Sequence, residues 1–73
     1  MNITESQLER ISKDLNDFAE ESVKIALIND TVYAYGSELA TLRILKKYRT
    51  VERARQGYSV NLKTHYFSLD LIN

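Results

Sequence analysis

Cysteine, proline and tryptophan are absent from this 73-residue chain, and glycine occurs only twice. Without cysteine there is no disulfide staple and no thiolate metal site. Without proline, and with so little glycine, no flexible linker or disordered tail is expected. The single histidine leaves metal binding to carboxylates alone, and no metal or cofactor is expected. No apolar run approaches the ~20 residues a membrane helix needs. The first residues lack the cationic start and apolar centre of a secretory signal. A soluble cytoplasmic protein with no membrane partner is therefore expected.

What is present is enough for one small domain. Apolar residues make up 44 % of the sequence, and a chain of this length buries roughly 60 % of its unfolded surface. The formal net charge is zero, but the charge is unevenly placed. Residues 1–42 hold eight acids and three bases, a balance of −5. Residues 43–63 hold seven bases and one acid, a balance of +6, and the last ten residues add −1. Such asymmetry points to a partner surface or to self-association.

Hydrophobic spacing divides the chain into elements. Residues 4–20 read as an amphipathic helix. Thr4-Glu5-Ser6-Gln7 forms a capping box, Ile3 and Leu8 sit at staple positions, and Leu8, Ile11, Leu15 and Phe18 make one stripe. The period then drops to two. Val23, Ile25 and Leu27 share a strand face, and Asn29-Asp30 can supply the positive φ of a two-residue hairpin turn. In the return strand, Thr31–Tyr35, Val32 opposes Leu27 and Ala34 opposes Ile25. Lys24, Tyr33 and Tyr35 then fall together on the opposite face.

Ser37 caps a second helix, in which Leu39, Leu42 and Leu45 are expected to face the core, flanked by Ala40, Ile44 and Tyr48. Gln56-Gly57 reads as the break after it, with residues 50–57 open to a helix, loop or strand reading. Tyr58, Val60 and Leu62, then His65, Phe67, Leu69 and Leu71, alternate as strands. The switch of parity between the two sets requires a turn or bulge near Lys63-Thr64. The order α-β-β-α-β(-β) predicts an α+β domain, a small antiparallel sheet with two helices packed on one face.

Catalysis finds little support. In a strand, His65 points away from Ser68 and Asp70, so no local relay forms. Tyr35-Gly36-Ser37 offers one glycine before a helix, which reads as a plain turn more readily than as an anion cradle. No enzyme is expected.

The stretch RILKKYRTVERARQGY, residues 43–58, is the main candidate for binding. It carries Arg43, Lys46, Lys47, Arg49, Arg53 and Arg55, six of the ten cationic side chains. Helix C-termini favour cations, which accounts for some of them. The rest suit phosphate contact, with Tyr58 placed to stack on a base. Tyr33 and Tyr35, if left uncovered, suit a protein hot spot. Glu20 and Glu21, with Glu9, Asp14 and Asp17, give the first helix an acidic character that could occupy a nucleic-acid-binding channel.

The segments YAYGSELATLRILKKYR and ARQGYSVNLKTHYFSL, within residues 32–69, resemble small proteins of phages and mobile elements, including anti-CRISPR and other anti-defence inhibitors. The likeness involves no motif of known chemistry, so no functional residue is carried over. It implies a compact, non-enzymatic inhibitor that blocks a larger host complex in a bacterial cytoplasm. The expectation is a binding protein that docks on a larger protein or nucleoprotein assembly. A small nucleic-acid-binding regulator using residues 43–63, and a homodimer that sequesters a nucleotide, are the alternatives.

Overall fold

In a computed structural model, which describes residues 4–71, six elements follow one another. They are α1 (Glu5–Ala19), β1 (Lys24–Ile28), β2 (Thr31–Gly36), α2 (Glu38–Lys47), β3 (Ala54–Ser59) and β4 (Thr64–Asp70). The strands form one antiparallel sheet in the order β1-β2-β4-β3. This is a small α+β fold, with both helices on one face and the two edges formed by β1 and β3.

Local chemistry sets the boundaries of α1. Thr4 Oγ1 accepts from the Gln7 amide, and Gln7 Oε1 accepts from the Thr4 amide, closing the capping box. Ile3, the outer half of the staple, lies outside the described residues. The helix stops at Glu20, whose φ of 59° is left-handed and whose amide reaches back to the carbonyls of Asn16 and Asp17. Asn16 then ties the exit to β1, with its Oδ1 accepting from the Val23 amide at 2.7 Å.

The first hairpin has the expected register, Leu27 opposite Val32 and Ile25 opposite Ala34. Asn29 and Asp30 both take positive φ, 48° and 64°, as a two-residue turn of this hand requires. Leu15, Ala19, Val32, Ala34, Ala40, Ile44 and Phe67 are fully buried between the sheet and the helices. Ile11, Phe18, Leu45, Tyr48 and Leu69 pack around them. Tyr48 joins the layers: its ring meets Phe18 at 6.0 Å and Phe67 at 5.3 Å.

Three expectations are corrected. Leu39 and Leu42 do not face the core: they are 56 % and 44 % exposed, and α2 buries Ala40, Thr41 and Ile44 instead. The reason is close approach. A Cβ added at Gly36 would lie 3.7 Å from Ala40 Cβ and 3.0 Å from Val23 Cγ1, so the start of α2 sits where leucine would not fit. Thr41 is tolerated because its hydroxyl donates toward the carbonyls of Ser37 and Glu38 and accepts from Gln56 Nε2.

Gln56-Gly57 is not a break. Residues 48–53 form successive turns after α2, β3 starts at Ala54, and Gly57 lies inside that strand. Val60 and Leu62 are not strand residues either. They sit in the 60–63 turn, which Lys63 closes with a φ of 55°, and are 77 % and 59 % exposed. That turn accounts for the change of parity, and Tyr58 and His65 face each other across it.

Candidate functional site

Two surfaces collect the side chains of interest. The first lies where the C-terminal end of α2 meets the C-terminal end of α1. Arg43, Lys46, Lys47 and Arg49 line one depression of about 590 Å³ with Phe18, Glu20 and Thr50. Three of these cations are spaced on one helix and the fourth comes from the turn after it.

The depression is partly pre-organised. Arg43 Nη1 donates to the Ala19 carbonyl at 3.2 Å, and its Nε lies 3.6 Å from Glu20 Oε2. The Lys47 ammonium stands 5.8 Å from the centre of the Phe18 ring, within cation–π range. Lys46, Lys47 and Arg49 are exposed, while Arg43 is half-buried. Four cations around one carboxylate suit a phosphate or carboxylate ligand. The guanidinium of Arg43 is held in place and the lysines remain free to adjust.

The acidic residues are less segregated in space than in sequence. Glu20 lines the basic depression itself. Glu21 Oε1 accepts from the Ser37 hydroxyl at 2.9 Å, and Ser37 Oγ accepts from the Ala40 amide. A carboxylate of the chain therefore stands beside the start of α2. Asp17 pairs with Lys13 at 3.1 Å across one turn of α1, and Glu9 and Asp14 are exposed on that helix.

The remaining cations of the basic stretch go elsewhere. Arg53 lies in the turn before β3, and Arg55 points from β3 to the sheet face away from the helices. Tyr58 lies on the helix side, 53 % exposed, with its ring edge-on to His65 at 5.0 Å. Residues 43–63 thus do not make one continuous surface.

The second surface is that outer sheet face. Register places two rows across it, Lys24–Tyr35–Tyr66–Gly57 and Ala26–Tyr33–Ser68–Arg55. β4 pairs beside Tyr33 and Tyr35, not over them, and both rings are half-buried. They lie parallel within 2°, with centres 5.9 Å apart, and Tyr33 meets Tyr66 edge-on at 6.0 Å. Burial and the neighbouring Tyr33 raise the Tyr35 pKa above the ordinary 10.0.

Tyr66 is not among the candidates read from sequence, and Gly57 reads there only as a break. Parity within THYFSLD puts Tyr66 opposite to the apolar set, and a glycine inside a strand marks a close approach. Among the described residues, no group of three or more histidine, aspartate or glutamate side chains is placed to hold a metal. No helix among the described residues is long and apolar enough to cross a membrane. Comparison with family models, with curated proteins and with solved structures finds no match to this chain.

Proposed function

We propose that this chain is a non-catalytic binding protein that docks on a larger nucleoprotein assembly, as a small inhibitor of the phage type would. The observation that carries the reading is the depression shared by Arg43, Lys46, Lys47 and Arg49. Two chain segments converge there and leave four cations around a single carboxylate. Helix-end compensation accounts for cations in the last turn of α2 but not for the addition of Arg49 from the following turn. A surface of this kind steers an anionic partner and fixes its orientation more than it supplies raw affinity.

The test is native mass spectrometry of the wild-type chain and of a Lys46→Glu/Lys47→Glu variant, each purified from the host. Both substituted side chains are exposed, so folding is expected to survive. The reading predicts a defined complex with the wild type that the variant loses. A monomer in both preparations, or a complex indifferent to charge reversal, would sink it.

A further inference from the structure

The geometry points to a second binding surface: the outer sheet face stacks unpaired bases of a single-stranded nucleic acid on its tyrosines, and Lys24 and Arg55 hold the strand's phosphates. This surface lies on the side of the sheet away from the helices and does not depend on the basic depression.

Gly57 is the first reason. A Cβ there would lie 2.8 Å from Tyr66 Oη, 2.9 Å from Cζ and 3.1 Å from Cε2. The phenol therefore crosses β3 directly over the glycine. The phenol end of the ring meets the backbone there, and the side chain is half-buried on the open side of the sheet. A tyrosine on an uncovered sheet face can stack on a planar ligand, and every base can use it. Tyr33 and Tyr35 add two parallel rings along β2, with Tyr33 inclined at 62° to Tyr66.

Charge is the second reason, and it selects the occupant. Lys24 on β1 and Arg55 on β3 are both exposed and form no ion pair with a described residue. They sit on opposite edges, three strand spacings apart, roughly 14 Å at about 4.8 Å each. The two tyrosine rows contain no carboxylate. Asp70 lies one row further along and already accepts from the Thr31 hydroxyl at 2.8 Å. A second copy docked face to face would bring lysine and arginine together without compensating acids in those rows. Ala26 is the sole aliphatic side chain in the two rows, with Ile28 one row further along and Leu62 bordering Lys24 and Tyr35.

The test uses the full chain with a fluorescein-labelled oligothymidylate 12-mer and the matching duplex, followed by anisotropy at low salt. The expected result is at least ten-fold tighter binding of the single strand. Tyr66→Leu should weaken it about five- to a hundred-fold, the range for losing one stacked base, while Tyr66→Phe stays within about two-fold because the ring is kept. Lys24→Glu with Arg55→Glu should weaken binding and flatten its salt dependence. These two positions are exposed, so that variant decides the matter if Tyr66→Leu does not fold. The chain has no tryptophan, so quenching of its tyrosine emission by unlabelled oligomer gives a readout on the wild type alone.

No binding at low salt, equal binding of duplex, or full affinity after both sets of substitutions would overturn the proposal. So would binding abolished by Lys46→Glu/Lys47→Glu with the sheet variants unaffected, which would assign it to the basic depression. A wild-type dimer that Tyr66→Leu converts to monomer in sedimentation would overturn it in favour of self-association.

Discussion

One sheet presents two unlike faces, and β4 contributes adjacent residues to each. Phe67 is fully buried under α2, while its neighbour Tyr66 lies half-buried on the open side. The two side chains differ by a hydroxyl, yet one is an anchor of the core and the other is available to a ligand. Strand alternation alone makes this division. Residue type indicates what can be buried, and the layer on top decides what is.

The contrast is broken most directly by truncating each ring. Phe67→Ala should cost about 3–5 kcal/mol, the usual penalty for a large aromatic removed from a packed core. A domain of this size has a margin of only a few kcal/mol, so most of the variant should be unfolded at 25 °C. Tyr66→Ala should cost under about 2 kcal/mol, because solvent reaches the vacated space. Urea denaturation of the two variants checks this, and comparable losses would remove the distinction between the faces.

Gly57→Ala sharpens it. The new methyl collides with the Tyr66 ring and should destabilise by about 1–2 kcal/mol, a typical cost of overpacking. In a Tyr66→Ala background the same change should be neutral or slightly stabilising, because alanine restricts the unfolded chain more than glycine does. A double-mutant cycle over these positions should therefore give clear coupling. Additive losses would mean the ring does not lie on the glycine. On the covered face, the comparable device is polar. Thr41→Val keeps the shape but leaves Gln56 Nε2 without its acceptor, and about 1–2 kcal/mol should be lost in the same denaturation assay.

The phenols provide a smaller test. Burial, with Asp14 adding to it, raises the Tyr48 pKa above 10.0, so the folded state favours the neutral ring. Its contribution to stability is complete below pH 10 and is lost as pH rises through the higher folded value. The midpoint of urea unfolding should fall as pH rises beyond about 10. Tyr48→Phe should flatten that fall, and an unchanged slope would count against the buried placement of the ring.

The elements that could be read from sequence were those fixed by neighbours in the chain. The Thr4 box, the Asn29-Asp30 turn and the Leu27–Val32 register depend on residues within a few positions of one another, and all three appear in the structure. Cations near the end of the second helix were likewise expected, because helix C-termini favour them. What escaped was set by distant partners. Gly57 looks like a break until Tyr66, nine residues on, is laid across it. Arg49 could be placed beside the helix, but Arg55 could not be separated from it without knowing that β3 starts at Ala54. The charge contrast between residues 1–42 and 43–63 was legible, yet Glu20 folds back among the cations.

Leu39 and Leu42 give the smallest predicted effect and the most direct test of how α2 is turned. Three leucines spaced by three define a plausible core stripe, and truncating a buried one should cost about 2–5 kcal/mol. In the structure, the contact with Gly36 rotates the small side chains of α2 inward and carries Leu39 and Leu42 outward, leaving Ile44 as its large core residue. Leu39→Gln and Leu42→Gln should each change stability by less than about 0.5 kcal/mol, since glutamine is also a good helix former and little apolar area is lost. Ile44→Ala, from the same helix, should cost several times more. If the glutamine variants proved the costlier, the helix would be turned the other way. The basic depression would turn with it, because Arg43 and Lys47 face α1 only while Ala40 and Ile44 face the sheet.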